Sequence, residues 1–326
     1  MIAKSALIFG VSGQDGALLA RLLADKGYRV HGTSRDAQLS SFGNLDVVGV
    51  RDRVQVHSAA TTDFRSVAQV LSEVQPDETY LLAGQSSVGL SFGQPVETLE
   101  SIALGALNVL EAIRFLKLGT RLYHAGSSEC FGDVGEAANE RTAFRPRSPY
   151  AVAKASAHWM VANYRDAYGL YACTGILFNH ESPLRPTRFV TRKIIAAAVR
   201  IAGGSGERLQ LGNLDIERDW GWAPEYVDAM WRMLQQREPN DYVIATGRMH
   251  ALSNFVAMAF DVVGLDWQQH VDFDPQLRRP SDIAHSVGDA SKAEHELGWK
   301  ASTTLEQVVA RMVAAEQGES WPVVAS

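Results

Sequence analysis

Short apolar runs alternate with longer amphipathic segments through the first half of the chain. The apolar runs, each short enough for a buried strand, are Ala6–Phe9, Arg29–Gly32, Val54–His57, Thr79–Ala83 and Arg121–Ala125. The segments with a helical pattern are Asp15–Lys26, Phe64–Val74, Pro95–Leu116 and Pro149–Tyr168. Such alternation is typical of β-α-β units, whose right-handed crossovers build a parallel sheet with helices on both faces. The sequence therefore predicts an α/β fold with a doubly wound parallel sheet.

The pattern changes after about residue 178. Loops lengthen, prolines such as Pro183, Pro224 and Pro280 appear, and the strands become short and scattered. We expect one lobe from residues 1–178, and a smaller C-terminal α/β lobe mainly from residues 179–326. The chain is expected to return to the first lobe near residues 222–250.

Composition and charge exclude several classes of function. Of the 326 residues, 46% are hydrophobic and 21% are charged, which is ordinary for a globular protein. The net charge of −6 gives no basic surface for nucleic acid. The N-terminal apolar run is far too short to span a membrane and has no signal-peptide pattern, so we expect neither a membrane partner nor export. The two cysteines, Cys130 and Cys173, fit a reduced cytoplasmic protein, and no His/Cys cluster has zinc spacing, so no metal is expected.

The first predicted strand runs directly into Gly10-Val-Ser-Gly13-Gln-Asp-Gly16, and a helix follows. In such a turn Gly10 permits the sharp bend, Gly13 lets the backbone approach a pyrophosphate, and Gly16 lets the helix pack close to the strand. The helix N-terminus offers free N–H groups and the positive end of its dipole. The spacing is GxxGxxG rather than GxGxxG, and an ordinary tight turn would also fit. Its place in the first β-α-β unit favours a dinucleotide-binding turn.

The second predicted strand is followed by Arg35-Asp36. An acidic residue there holds the ribose 2′-hydroxyl of NAD, whereas an arginine accommodates the 2′-phosphate of NADP. Arg35 favours NADP through charge-assisted hydrogen bonds, and Asp36 argues partly for NAD. A solvated loop arginine is the simpler interpretation of Arg35. The sequence leaves NAD as the alternative cofactor.

Tyr150 and Lys154 lie four residues apart after Pro149, which suits the first turn of a helix. Both side chains therefore project from one helical face. A phenol has a pKa near 10, and a nearby ammonium lowers it, so the pair can accept a hydroxyl proton while a hydride leaves the same carbon. Taken alone, such a pair is more often surface packing. Here it follows a dinucleotide turn and the segment Ser127-Ser128-Glu129, in which Ser127 and Glu129 would point to the same side of an extended chain.

Together these motifs resemble the extended short-chain dehydrogenase/reductase superfamily, and several stretches resemble GDP-mannose 4,6-dehydratases in particular. Those stretches are "GVSGQDG", "AGQSSVGLSF", "PRSPYAVAK", "YGLYACTGILFNHESPLR", "FVTRKI", "LGNLDIERDWG" and "YVDAMWRMLQQREPNDYVIATG". The resemblance covers nearly the whole chain. It implies a Rossmann-like NADP-binding domain in residues 1–178 and a GDP-sugar-binding lobe mainly in residues 179–326.

The resemblance also implies roles for individual residues. The implied catalytic residues are Ser127, Glu129, Tyr150 and Lys154. The implied cofactor-binding residues are Gly10, Gly13, Gln14, Asp15, Gly16, Arg35, Tyr150, Lys154, Leu177, Asn179 and His180. The implied substrate-binding residues are Gln85, Ser86, Ser127, Ser128, Glu129, Asn179, Glu181, Ser182, Lys193, Arg218, Arg279 and Asp282. Without the resemblance, a packing histidine and a solvated lysine would describe His180 and Lys193 equally well.

The chain departs from the family pattern at several positions. Two basic residues are usual where this chain has Arg35-Asp36, and Gly-Asp is usual where it has Ala60. Arg-Gly is usual where it has Arg185-Pro186. In "RRPSDIA", Asp282 replaces a glutamate and Ala284 an aspartate, and Ser127 stands where threonine is commoner. These differences affect the cofactor choice, the tetramer contacts and the identity of the sugar.

The implied reaction converts GDP-mannose to GDP-4-keto-6-deoxymannose by internal hydride transfer and loss of water. Tyr150 with Lys154 takes the proton of the 4-hydroxyl, Ser127 hydrogen-bonds the C4 oxygen, and Glu129 removes the proton on C5. One alternative keeps this chemistry on a GDP-manno-heptose. Another is a GDP-4-keto-6-deoxyhexose reductase, which needs no base at C5, so Glu129 argues against it. A non-enzymatic nucleotide sensor is a third alternative, which the intact catalytic set disfavours.

The resemblance further implies a homodimer, with a tetramer as the larger alternative. The segment Pro95–Leu116 and the helix that carries Tyr150 would pair across a two-fold axis, and the alanines Ala151, Ala153, Ala155 and Ala157 would permit close packing. Packing of the same alanines on the sheet is the simpler interpretation.

Overall fold

The computed structural model describes residues 3–277 and 279–323; residues 1–2 and 324–326, at the ends of the two predicted lobes, lie outside the described part. The strands are β1 (Ser5–Phe9), β2 (Arg29–Ser34), β3 (Val54–Ser58), β4 (Glu78–Leu81), β5 (Arg121–Ala125), β6 (Ala172–Leu177), β7 (Asn179–Glu181), β8 (Leu209–Leu211), β9 (Glu217–Arg218), β10 (Trp220–Trp222), β11 (Tyr242–Ile244), β12 (His250–Ala251), β13 (Val271–Phe273) and β14 (His285–Ser286). The helices are α1 (Gln14–Asp25), α2 (Gly43–Val47), α3 (Phe64–Val74), α4 (Val88–Gly93), α5 (Pro95–Leu99), α6 (Gly105–Phe115), α7 (Pro149–Tyr168), α8 (Val190–Ala202), α9 (Ala223–Gln235), α10 (Leu252–Val262), α11 (Ser291–Leu297) and α12 (Leu305–Glu316).

Seven strands form one parallel sheet in the order β11-β6-β5-β4-β1-β2-β3. Every pairing within it is parallel. Apolar side chains of α1, α9 and α11 pack with one face of the sheet, and those of α3, α6 and α7 pack with the other. The predicted doubly wound α/β fold is therefore confirmed, because helices cover both faces of a parallel sheet.

The second lobe has its own apolar core, which α8, α10 and α12 build with β8 and β10. Short strands pair around this core as β7 with β10, β8 with β13, and β9 with both β12 and β14. The chain passes between the lobes several times, because α9, β11 and α11 belong to the large sheet and its covering helices. The predicted return was near residues 222–250, and α11 returns to the first lobe a second time.

The predicted helix over Pro95–Leu116 is one continuous helical stretch with an irregular centre. A π-helical segment, Glu100–Leu104, joins α5 to α6. Such π segments often occur at functional sites. Ser101 and Glu100 of this segment face the cleft described below.

Among the described residues, no helix combines the length and the apolar character that a membrane crossing requires.

Candidate active site

A cleft of about 1620 Å³ lies between the two lobes at the carboxyl edge of the sheet. This is the edge where doubly wound sheets bind their ligands, next to the point where the strand order reverses between β1 and β4. The cleft wall contains every residue predicted for the site except Ser182. Residues that are far apart in sequence, such as Gly10, Tyr150 and Arg279, thus meet at one place.

The glycine turn between β1 and α1 has no room for side chains at two positions. Gly10 has φ +90°, and a Cβ on it would lie 2.9 Å from the backbone nitrogen of Ala83. A Cβ on Gly16 would lie 2.3 Å from the Gly10 carbonyl oxygen and 2.7 Å from the Val11 Cα. The structure therefore agrees with a sharp bend at Gly10 and close helix packing at Gly16. A Cβ on Gly13 meets only the Gly10 carbonyl oxygen, at 3.4 Å.

The turn after β2 is held by its own side chains. The carboxylate of Asp36 accepts hydrogen bonds from the backbone N–H groups of Gln38, at 2.9 Å, and Leu39, at 3.0 Å. Ser34 and Ser40 join their hydroxyls at 2.6 Å across the same turn. Arg35 is exposed on the cleft wall. Asp36 thus shapes the turn, and Arg35 remains accessible to a ligand.

Tyr150 and Lys154 project together from the first two turns of α7. Ser148 caps this helix, since its Oγ accepts the Ala151 N–H at 3.1 Å, and Pro149 occupies the first turn. Lys154 Nζ donates to the Ala125 carbonyl oxygen at 2.8 Å and lies 5.8 Å from the centre of the Tyr150 ring. Burial lowers the pKa of Lys154 to about 8.

Burial also raises the pKa of Tyr150 above its usual value, although a hydrogen bond with Ser127 acts in the opposite direction. The sequence predicts that the nearby ammonium lowers this pKa, whereas burial has the largest effect and the pKa is raised. Desolvation has the largest effect because Tyr150 is buried, and the Lys154 amine bonds to the Ala125 carbonyl oxygen rather than to the phenol.

The segment that follows β5 was predicted to be extended through Glu129, but the extended part ends at Ser127. Ser127 has extended geometry, but Ser128–Cys130 form a 3-10 turn, and Ser127 Oγ accepts the Glu129 N–H at 3.3 Å. The prediction that alternation alone aligns Ser127 with Glu129 is therefore wrong. The turn nevertheless leaves Ser127, Ser128 and Glu129 all on the cleft wall.

The Glu129 carboxyl lies in a mixed electrostatic environment. Burial raises its pKa above the usual value, Arg218 and Arg279 act in the opposite direction, and Asp282 adds to the increase. The carboxyl of Glu129 is thus a stronger base than an exposed glutamate, because the charged form is poorly solvated.

Arg218, Arg279 and Asp282 form a charged cluster at the second-lobe side of the cleft. Arg218 Nη2 donates to Asp282 Oδ1 at 3.0 Å, and Arg279 Nη1 lies 3.5 Å from the same oxygen. Arg218 is buried and also donates to the Ile283 carbonyl oxygen at 2.8 Å. The two guanidinium groups supply positive charge and forked donors, which suit a diphosphate.

Both ring nitrogens of His180 make hydrogen bonds within the protein, so neither is free for a ligand. Its Nε2 lies 3.0 Å from Asp15 Oδ2, and its Nδ1 lies 2.7 Å from the Phe178 carbonyl oxygen. The ring stacks on Tyr226, with ring centres 4.5 Å apart. A cofactor contact of His180 would therefore come from its backbone or the edge of its ring.

The side chains of the other predicted residues differ in whether they are free to contact a ligand in the cleft. Gln85 Nε2 donates to the Ser87 carbonyl oxygen at 2.8 Å, and Lys193 Nζ donates to the Gln210 carbonyl oxygen at 2.7 Å. Ser182 is fully buried and donates to Gln14 Oε1 at 2.8 Å, so it positions Gln14 and does not line the cleft. The cleft wall also contains the predicted Ser86, Leu177, Asn179 and Glu181.

Several cleft residues were not in the predicted site. Arg185, whose Nε lies 3.1 Å from Glu181 Oε2 and whose guanidinium stacks on Phe189 at 3.9 Å, is among them. Asn213 and Asp215 line the second-lobe side. The departure at Arg185-Pro186 was visible in the sequence, whereas Asn213 and Asp215 lie in a loop that has no periodic pattern.

Within residues 3–277 and 279–323, no group of three or more His, Cys, Asp or Glu side chains is arranged to hold a metal ion.

Solved structures with the same fold span nearly the whole chain. UDP-glucose 4-epimerase of Thermus thermophilus in complex with NAD superposes with a TM-score of 0.85 and 24% identity, over 96% of this chain and 99% of that one. DesIV, a dTDP-glucose 4,6-dehydratase of Streptomyces venezuelae, gives a TM-score of 0.86 and 21% identity over 96% and 97%. This likeness confirms the Rossmann-like doubly wound fold of the chain.

Sequence comparisons narrow the class to one family. The family described as GDP-mannose 4,6 dehydratase matches residues 7–312. GDP-mannose 4,6 dehydratase 1 of Arabidopsis thaliana is 45% identical over 95% of this chain and 89% of its own length. The GDP-mannose 4,6-dehydratase of Vibrio cholerae is 43% identical over 98% and 96%. The chain therefore belongs to the GDP-mannose 4,6-dehydratase family, and the resemblance stated from its motifs is confirmed.

Proposed function

We propose that this protein converts GDP-mannose to GDP-4-keto-6-deoxymannose and water. The observation that carries the proposal is the position of Glu129, a half-buried carboxyl on the same cleft wall as Ser127, Tyr150 and Lys154. The last three suffice for oxidation or reduction at C4. A base near C5 is needed only when water is lost between C5 and C6.

NADP⁺, when bound, accepts the hydride from C4 of the sugar and returns it to C6. The chain itself supplies the proton transfers. Tyr150 takes the proton of the 4-hydroxyl, and Ser127 hydrogen-bonds the C4 oxygen as its charge changes. The ketone at C4 acidifies C5, and Glu129 removes the C5 proton as the 6-hydroxyl leaves. The two protons taken from O4 and C5 are balanced by those returned to the leaving oxygen and to C5, so one water is lost.

The protonation states in the cleft support these roles. Burial lowers the pKa of Lys154 to about 8, so its ammonium is still the main form at neutral pH. That ammonium and the positive charge of an oxidised nicotinamide would both favour the phenolate of Tyr150 over the phenol. The raised pKa of Glu129 suits a base that removes a weakly acidic proton.

The cofactor would lie against the glycine turn, and the lack of room for side chains at Gly10 and Gly16 supports the close strand-to-helix packing of such a turn. NADP is the proposed cofactor rather than NAD. Arg35 is exposed at the cleft, while the Asp36 carboxylate is bonded to two N–H groups of its own turn. An acid so engaged does not compete with a 2′-phosphate for the arginine.

The GDP part would bind at the second lobe, where Arg218, Arg279 and Lys193 provide positive charge and Asp282 provides acceptor oxygens. We accordingly assign residues 1–178, with the return near residues 222–250, mainly to the cofactor and residues 179–326 mainly to the nucleotide sugar. A cytoplasmic location is part of the proposal, because Cys130 and Cys173 are both free and buried.

We also propose a homodimer that forms through α5, α6 and α7. Two exposed apolar side chains on α7, Val152 and Trp159, are seven residues apart and share a face. Val96 on the neighbouring α5 is 67% exposed. Exposed apolar side chains on neighbouring helices are typical of a contact site.

The test is incubation of the purified protein with GDP-mannose labelled with deuterium at C4, without added cofactor, followed by mass spectrometry. We expect loss of one water, retention of the deuterium at C6, and no net change in the NADPH content. Consumption of added NADPH by a 4-keto substrate, without dehydration, would instead identify a reductase. Turnover of a GDP-manno-heptose but not of GDP-mannose would move the proposal to the larger sugar.

A further inference from the structure

The glycine turn of the first lobe is tied to the start of the second lobe by side chains. Gln14 Nε2 donates to the His180 carbonyl oxygen at 3.2 Å, and Gln14 Oε1 accepts from Ser182 Oγ at 2.8 Å. Gln14 and Asp15 belong to the first turn of α1, whereas His180 lies on β7, which pairs with β10. The turn and β7 therefore cannot separate without breaking these bonds.

The contact between Asp15 and His180 is an ion pair. The ring nitrogens of His180 face only acceptors, the Asp15 carboxylate at 3.0 Å and the Phe178 carbonyl oxygen at 2.7 Å. Both nitrogens must then carry protons, so the imidazole is cationic. The ring is only 8% exposed and is covered on one face by Tyr226. Charge-assisted hydrogen bonds in such a place are stronger than neutral ones.

The position of the pair determines its effect on a bound dinucleotide. Asp15 lies in the first turn of α1, where the helix dipole and the free N–H groups attract an anion. An uncompensated carboxylate at that point would repel a pyrophosphate. The imidazolium of His180 cancels the charge of Asp15 and holds its side chain against β7.

We propose that Asp15 and His180 form a lock between the lobes that retains the dinucleotide in the cleft from one turnover to the next. The lock rests on the proposed function, because an internal redox reaction regenerates its cofactor and gains from keeping it bound. Asp15 and His180 act as positioning residues, since their bonds join the two walls of the cleft.

The test measures cofactor release from the intact enzyme. The enzyme is loaded with NADPH and mixed with excess NADP⁺, and the loss of bound NADPH fluorescence gives the release rate. Asp15→Asn and His180→Gln each remove one charge and keep a polar side chain. We expect each to speed release by about tenfold or more, and the double variant to release no faster than the faster single variant, because the pair is broken only once.

The control is Asp46→Asn, a charge removal at an exposed position on α2 outside the cleft, which is expected to leave the release rate unchanged. If the double variant increased the release rate by the product of the two single-variant increases, Asp15 and His180 would act independently, and the lock would be overturned. Release rates within about twofold of wild type would do the same. The readout needs no substrate, so a protein that releases NADPH as expected but leaves GDP-mannose unchanged would disprove the proposed function and keep the lock.

A second measurement needs no variant. Although burial lowers the pKa of His180, Asp15 raises it above the ordinary value. The charged groups that face the ring are Asp15 on α1, Glu181 next to it in the chain, and Arg185 five residues further on. The lock is complete below the ordinary histidine pKa and is lost as pH rises through the raised value, so wild-type NADPH release should accelerate toward alkaline pH. A release rate that is independent of pH through that range would contradict the ion pair.

Discussion

At the residue scale, Glu129 is the side chain that distinguishes dehydration from simple redox chemistry. Its carboxyl is influenced by burial, by two arginines and by one aspartate. A diphosphate bound to Arg218 and Arg279 would offset their positive charge at Glu129. Binding of the nucleotide part would then strengthen the base that acts on the sugar part.

The first prediction concerns the base. In Glu129→Gln, oxidation at C4 should continue and be seen as NADPH absorbance that builds up on the enzyme. Water loss should slow by about 10²-fold or more, because the amide cannot accept the C5 proton. Glu136→Gln, at an exposed position of the following loop, is the matched control. Full dehydration by Glu129→Gln would remove Glu129 from this role.

The pH dependence of the wild type gives a second prediction for the same residue. Only the ionised carboxylate can act as base, so dehydration falls as pH drops through the pKa of Glu129. Since burial raises this pKa above 4.5, the acid limb of kcat should lie above that value. The acid limb should be absent when C4 oxidation is followed in Glu129→Gln. An acid limb that persists there at the same pH would assign the titration to another group.

The third prediction concerns Arg35 and Asp36. Arg35→Ala should lower the preference for NADP⁺ over NAD⁺ by about tenfold or more, because a charge-assisted contact with the 2′-phosphate is lost. Asp36→Asn should bind both cofactors like wild type, since its amide oxygen still accepts the two N–H groups of the turn, whereas Asp36→Ala should weaken both. Titration of each cofactor by fluorescence measures these affinities. Markedly tighter NADP⁺ binding by Asp36→Asn would show that the Asp36 charge faces the ribose.

At the scale of elements, the glycine turn constrains how β1 and α1 pack together. The atoms nearest to a Cβ on Gly16 all belong to the backbone of Gly10 and Val11, so no side chain can move to make room. Gly16→Ala should therefore shift α1, weaken cofactor binding and lower the free energy of unfolding by about 1–3 kcal/mol. Gly43→Ala at the start of α2, where a Cβ meets nothing within 4 Å, is the control and should be neutral. Urea unfolding with equal results for the two variants would contradict this packing.

The sequence predicted these elements unequally, and the reasons are physical. The first five strands of the sheet and helices such as α3 and α7 follow from the apolar period and from the glycines and prolines that mark their ends. The 3-10 turn at Ser128–Cys130 is capped by a hydrogen bond from the Glu129 N–H to Ser127 Oγ. The serines of this segment do not by themselves predict that bond. The helices of the second lobe had signals that were not used, such as the capping box of Thr304 and Gln307 at the start of α12.

The site was predictable where function fixes residue types at fixed spacing, as for Tyr150 and Lys154. It was not predictable where the tertiary fold decides direction. His180 reads as a ligand residue from its motif, but the fold directs its ring to Asp15, which is 165 positions away in the chain. Ser182 is similarly turned to Gln14 by the approach of the two lobes.

At the scale of the whole molecule, the two lobes have separate cores but are not separable. The loop after Glu129 bonds to the second lobe, since Ala138 donates to the Val287 carbonyl oxygen at 2.9 Å and accepts from Asp289 N–H at 2.8 Å. Because α9, β11 and α11 return to the large sheet, the two lobes are joined at several points of the chain. The cleft is thus positioned by both lobes at once.

The proposed dimer is the prediction at this scale. Trp159 is 62% exposed on α7, and a charge at the centre of an apolar contact is costly. Trp159→Glu and Val152→Glu should each convert the dimer to a monomer in sedimentation velocity at micromolar concentration, while Val47→Glu on α2, at a position that is 60% exposed, should leave it intact. Thermal unfolding verifies that each variant is folded. A wild-type monomer, or a dimer that survives both α7 substitutions, would exclude this face as the interface.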